Sequence, residues 1–157
     1  MSQSALQRRI KKELAKMQQA VERAQKVIPK LQAIEDEDIL EAFISDSALN
    51  MQSFYTGAES ILYAIARDID QSVPSGESWH QQLVEQMSVE IPTVREAVLS
   101  AETAEWLDEF RRFRHVVRSM YAFDLDEERV LQLVAKLLLC YQAFAQDVLQ
   151  FLARHPS

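Results

Sequence analysis

The sequence predicts an all-α protein, a single-domain antiparallel bundle of about five helices spanning residues 1–157. Apolar residues recur at intervals of three and four along most of the chain, the period of amphipathic helices. Only two glycines and four prolines occur in 157 residues, too few for the many tight turns of a sheet protein. A chain of this length buries a useful core without metal or disulfide staples.

The elements follow in order. Leu6, Ile10, Leu14, Met17, Val21, Ala24 and Ile28 mark the inner face of an amphipathic helix over residues 1–30, which Pro29 ends or kinks. Arg8, Arg9, Lys11 and Lys12 on its other face read as a solvated surface, with phosphate binding as the alternative. The motif-bearing part of the bundle spans 38–155. The acids Glu35–Asp38 suit a helix N-terminus, where they oppose the positive end of the dipole. A second helix is expected from about Asp38 to Asp70, with Phe43, Met51, Phe54, Tyr55, Ala58, Ile61, Leu62, Ile65 and Ile69 inward. Gly57 falls in its middle, where glycine costs about 1 kcal/mol relative to alanine. Another helix packed close against it would offset that; a merely tolerated glycine is the other reading.

The clearest loop is "DQSVPSGES", Asp70–Ser78, in which Ser75 or Ser78 can cap the helix "WHQQLVEQMSV" closed by Pro92. His80, on the polar side of that helix, reads as an exposed or hydrogen-bonding histidine rather than a ligand. A short helix is expected over "PTVREAVL", then Ser100 as the N-cap of a helix through Trp106, Phe110, Phe113, Val117 and Met120 that ends near Phe123. Asp124 or Asp126 caps the last helix, whose Val130, Leu131, Val134, Leu137, Leu138, Tyr141, Phe144, Val148, Phe151 and Leu152 cover most of its sides. Such a helix is central in the core or shared with a second copy. Cys140 lies in its apolar run and reads as a small buried hydrophobe.

Several function classes are excluded. A net charge of −7 argues against nucleic-acid binding by the whole surface, so any such contact is local. The N-terminus lacks the apolar core of a signal peptide, and no apolar run approaches the ~20 residues of a membrane span. A cytoplasmic protein free of membranes is expected. Gly-rich phosphate loops, HExxH, CxxC and GxSxG are absent, and His80, His115 and His155 lack metal-ligand spacing, so neither metal nor cofactor is expected.

One stretch departs from this acidic background. "EFRRFRHVVRSMYAF", Glu109–Phe123, holds four arginines and a histidine between Arg111 and Arg118, with no acid among them. On a continuous helix Arg111, Arg114, Arg118 and Tyr121 form one stripe, His115 lies beside it, and Phe110, Phe113, Val117 and Met120 face the core. Such a stripe either pairs with acids elsewhere in the chain, Glu59 being one candidate, or binds a polyanion. In the second case RNA cleavage is a chemistry these residue types suit, since arginine can stabilise the charge of a pentavalent phosphorane and an imidazole can move the proton of a ribose hydroxyl.

The run Arg114-His115-Val116-Val117-Arg118-Ser119-Met120-Tyr121 resembles the motif of HEPN-domain proteins, specifically the HepT-like group: an arginine, a polar residue, three variable residues, a histidine, one variable residue and a tyrosine. The flanking "ETAEWLDEFRRFRHVVR" and "YAFDLDEERV", with the upstream "FYTGAESILYAIARDID" and "PSGESWHQQLVEQM", are also similar, over about Leu49 to Leu139. The resemblance implies an all-α homodimer whose motif helices line a shared cleft. It also implies a metal-independent endoribonuclease toxin of a toxin–antitoxin pair, whose partner, an MNT-type nucleotidyltransferase antitoxin, silences it by transferring AMP to the motif tyrosine. Carried over, Arg114 matches the phosphate-binding arginine, His115 the polar position and Tyr121 the modified tyrosine; Arg111 and Arg118 flank them as RNA contacts.

Ser119 is the departure. It stands where the family has its catalytic histidine, and an unaided serine is no general base near neutral pH. Ser119 is then a natural loss in an inactive or regulatory member, an engineered change that permits expression of a toxin, or a position for which His115 substitutes from one helical turn away. A function from another class stands beside these: a non-catalytic helical interaction protein whose arginine face docks an acidic protein or nucleotide.

Overall fold

The computed structural model describes residues 3–155. They form five α-helices: α1 (Gln3–Gln25), α2 (Glu37–Ile65), α3 (Trp79–Met87), α4 (Ala101–Val117) and α5 (Glu127–Arg154). Short 3-10 segments cover Ile28–Ala33 and Ala122–Asp124, and α2 runs on into a π turn, Ala66–Asp70. The expected all-α bundle of about five helices is what forms.

Helix starts follow capping chemistry. Asp36 opens α2 by accepting from the Asp38 N–H at 2.8 Å, Ser100 opens α4 by accepting from the Thr103 N–H at 3.2 Å, and Asp126 opens α5 by accepting from the Arg129 N–H at 3.2 Å. Ser78 precedes α3 without a side-chain cap.

Cross-helix contacts set the directions. The Ser47 hydroxyl donates to the Ala24 carbonyl and Gly57 lies against Met17, so α1 and α2 run antiparallel. Tyr141 donates to the Leu14 carbonyl at 3.1 Å while Gln25 reaches the Val134 carbonyl, so α5 is antiparallel to α1. Glu109 forms an ion pair with Arg129 and accepts from Lys136, and the Ser100 N–H donates to Asp147, so α5 is also antiparallel to α4. A Cβ on Gly57 would meet Met17 Cγ at 2.5 Å. The mid-helix glycine is therefore the close approach of α1 to α2.

The centre of the core is α2 rather than α5. It packs against α1, α3, α4 and α5, and Phe54 sets its ring edge against Phe110 and Tyr141. The wide apolar surface of α5 is only partly used: Val130, Val134, Leu137, Phe144 and Val148 are buried, while Leu138, Leu139 and Leu149 face outward. Cys140 is fully buried, which pushes its thiol well above the usual range, as a small core residue requires. Two inward positions shift by one residue. Val27 is buried where Ile28 was expected, because the chain leaves α-helical geometry after Gln25, and Ile44 is buried where Phe43 was expected, since Phe43 lies under Lys30.

Two helical expectations fail. Residues 92–99 are not a helix: Ile91 and Arg95 form a β-bridge around a turn in which Thr93 adopts φ 67°. The buried Arg95 takes the carbonyls of Gln86, Val89 and Glu96 as acceptors, so they do not enter a helical ladder. And α4 ends at Val117, not near Phe123. The Arg118 N–H still bonds to the Arg114 carbonyl, but the Met120 N–H reaches back only to Val117 at 3.1 Å, tightening the chain into a turn at Ser119. The reversal toward the antiparallel α5 must be completed before Asp126.

Candidate functional site

A cavity of about 220 Å³ opens where α2, α3 and the end of α4 meet. Arg111, Arg114 and His115 of α4 and its C-cap Arg118 line it, together with Tyr55 from α2, Glu77 and Ser78 just before α3, and His80 and Gln81 in its first turn. The expected cationic residues therefore gather at one site. Ser119 and Tyr121 are not among its lining residues.

Acids meet this cluster only in part. Asp108, one turn earlier on α4, accepts from Arg111 at 2.8 Å and lies 3.7 Å from Arg112. Among the described residues no carboxylate pairs with Arg114, His115 or Arg118. The suggested pairing of Glu59 with the arginines is overturned: Glu59 Oε2 lies 2.5 Å from His80 Nδ1. What makes the uncompensated charge tolerable is its place. Arg114 and His115 occupy the last turn of α4 and Arg118 its C-cap, at the negative end of the helix dipole.

The rest of the lining comes from α2, α3 and the residues just before α3. Tyr55 is buried, and its hydroxyl is pushed well above the usual phenol range, first by desolvation and then by the charge of Glu59, with Arg111 and Arg114 pulling the other way. The phenol thus stays neutral near pH 7, a donor to an anion rather than a base. His80 is held on two sides. Its ring centroid lies 3.7 Å from that of Trp79, which in turn meets the edge of Tyr63, and Glu59 holds Nδ1.

Tyr121 lies outside the helical stripe on which it was expected, because α4 ends four residues before it. It is 70% exposed and stacks flat on Phe123, with ring centroids 5.3 Å apart. Ser119 sits in the exposed turn after the helix, so the one-turn helical relation between His115 and Ser119 is broken.

Sequence reasoning missed Tyr55 and His80 as parts of this site. Tyr55 reads as one more aromatic on an apolar face. For His80 a signal existed: Glu59 falls among the inward residues of α2, and a carboxylate in such a place needs a partner. No group of side chains able to hold a metal ion occurs among the described residues, and no helix there is long and apolar enough to cross a membrane.

An antiparallel helical bundle whose fourth helix carries an Arg-His-rich motif into a lateral cavity defines the class: an all-α fold of the HEPN type. A family model described as HepT-like protein matches residues 47–155, and the chain belongs to that family. The match takes in most of α2 and everything after it, so every residue of the cavity lies within it while α1 lies outside. No curated protein and no solved structure matches the chain.

Proposed function

We propose that this protein is the toxin component of a toxin–antitoxin module and acts in the cytoplasm as a homodimer. In this reading its arginine cavity binds RNA and carries metal-independent endoribonuclease chemistry. The observation that supports it is the absence of any carboxylate partner for Arg114 and Arg118 among the described residues, in a protein that carries 24 acidic side chains against 17 Lys and Arg. Two arginines without carboxylate partners within an acidic protein suit a ligand that brings its own negative charge, and a phosphodiester takes such guanidinium groups in bidentate fashion. Arg114 is the phosphate contact, with Arg111 and Arg118 beside it. His115 is the imidazole on the arginine helix that moves a proton.

The controlling partner in this reading is a nucleotidyltransferase antitoxin of the MNT type. Tyr121 Oη attacks the α-phosphorus of ATP, the O–P bond forms, the bond to pyrophosphate breaks and the phenol proton leaves to solvent. The exposure of the Tyr121 ring supports its use as the acceptor. The added phosphodiester, three residues beyond Arg118, would oppose RNA with like charge. The test is intact mass after incubation with the cognate partner and ATP. The parent gains AMP units and Tyr121→Phe gains none; an unchanged parent mass sinks the pairing.

Ser119 in place of the family histidine favours a second reading, in which the arginine face only docks an acidic protein or nucleotide. Cleavage of RNA without added metal, compared between this chain and Ser119→His, separates the two. Cleavage that Arg114→Ala abolishes supports the ribonuclease; silence from both chains leaves only docking.

A further inference from the structure

Cleavage of a phosphodiester by its own ribose 2′-hydroxyl moves two protons. One leaves the attacking hydroxyl and one reaches the departing 5′-oxygen. With serine at position 119, the motif helix brings one imidazole to the cavity, that of His115. The rest of the lining brings another, on an element outside the motif. We propose that His80, oriented by Glu59, is the second proton-handling group of this cavity and takes the proton of the 2′-hydroxyl; the inference rests on the ribonuclease reading above.

The geometry carries the assignment. Glu59 Oε2 stands 2.5 Å from His80 Nδ1, and an ionised carboxylate can only accept. In the neutral ring the proton is therefore on Nδ1, and Nε2 is left with a free lone pair. No described residue hydrogen-bonds to Nε2. The Glu59 side chain is 11% exposed and that of His80 26%, so the carboxylate is sheltered while the imidazole reaches the opening. Trp79 holds the ring from its face. A sheltered carboxylate behind an imidazole fixes its tautomer and faces the positive charge that the ring acquires on protonation. His80 and the guanidinium groups of Arg114 and Arg118 line the same cavity, so a phosphate held by the arginines lies within the space that the imidazole faces.

In the reaction O2′ bonds to phosphorus as its proton passes to His80 Nε2, the bond from phosphorus to O5′ breaks, and His115 gives a proton to O5′. The products are a 2′,3′-cyclic phosphate and a 5′-hydroxyl. Solvent returns both imidazoles to their starting forms, and no oxidant or reductant takes part. Glu59 touches no substrate and is a positioning residue.

The experiment uses the full chain, chelator and a fluorescently labelled single-stranded RNA of mixed sequence. Affinity is measured separately on the 2′-O-methyl analogue, which cannot be cleaved. The parent is expected to yield cyclic-phosphate ends. His80→Ala should lower kcat by about 100-fold or more with unchanged affinity for the analogue. Added imidazole should restore part of that rate, which it would not do for a folding defect. His80→Gln, which retains a polar side chain, should behave as His80→Ala without the rescue, with an unchanged thermal midpoint. Glu59→Gln should lower kcat and leave KM, and Glu59→Asp should recover part of the loss. Parental rates from both His80 variants, with His115→Ala inactive, overturn the role of His80 and leave the ribonuclease reading standing. A silent parent overturns the proposal as well, and cleavage by Ser119→His then decides whether the ribonuclease reading survives.

Discussion

Arg95 sits 5% exposed in the segment before α4, and every one of its donors is used: Asp70 takes two at 2.5 and 2.8 Å, and the carbonyls of Gln86, Val89 and Glu96 take the rest. Arg114, in the last turn of α4, has no carboxylate partner among the described residues. The same guanidinium thus serves two ends. Where it is buried it must be satisfied within the chain, and it shapes the backbone around it. Where it lines a cavity it is left open, and the free donors are what a bound anion would meet. The difference separates an arginine that holds the fold from one that the fold leaves unpaired.

The largest expected effect breaks the buried arginine. Arg95→Ala leaves the Asp70 carboxylate, 1% exposed, without its cationic partner and with only the Gln86 amide donating to it, which should cost roughly 3–5 kcal/mol in denaturant unfolding. Arg95→Lys should recover little of that, since an ammonium cannot reproduce a five-donor fork. Equal stability of Arg95→Ala and the parent would dissolve the distinction between the two arginines. The cavity arginine should show the reverse pattern. Arg114→Ala is expected to unfold within about 0.5 kcal/mol of the parent while losing roughly 1.5–3 kcal/mol of affinity for single-stranded RNA. Its dependence of log affinity on log salt should also become shallower by about 0.7. A salt slope that does not change would remove Arg114 from the phosphate contacts.

A smaller effect sharpens the comparison at the wall beneath the cavity. Burial raises the Tyr55 hydroxyl, so its contribution to stability is whole below the ordinary phenol value near pH 10 and is lost as pH rises through the higher folded value. Denaturation midpoints of the parent should fall on the alkaline side of about pH 10, and Tyr55→Phe should fall less steeply over the same range. Cys140, raised in the same direction by burial, contributes to that limb in both chains. Parallel alkaline limbs would show that the Tyr55 hydroxyl is hydrated rather than desolvated in the wall of the cavity.

Much of the fold was legible in local chemistry. Asp36, Ser100 and Asp126 each satisfy an orphan N–H of the helix they open, which depends on residues two or three positions away. The inward faces of α1 and α2 were legible from period, with one-residue shifts at Val27 and Ile44 where geometry changes or a cation covers a ring. The segment 92–99 was not legible, because its backbone follows Arg95, and Arg95 follows Asp70, 25 residues earlier. The end of α4 was missed for a related reason: nothing in Arg118–Tyr121 forbids a helix, but the return of α5 along α4 requires a turn there.

The sequence by itself determined the bundle, the cap positions, the cationic run and the family motif, since each depends on periodicity or on near neighbours in the chain. Only the tertiary structure decided which groups share the cavity. Arg114, His115 and Arg118 come from one helix and its C-cap, but Tyr55 and His80, the latter held by Glu59, reach them from helices tens of residues away in sequence, and Tyr121, adjacent in the motif, is carried outward by the turn at Ser119. Spacing along a chain reports a shared site only while the chain stays helical. Beyond that, packing chooses the neighbours.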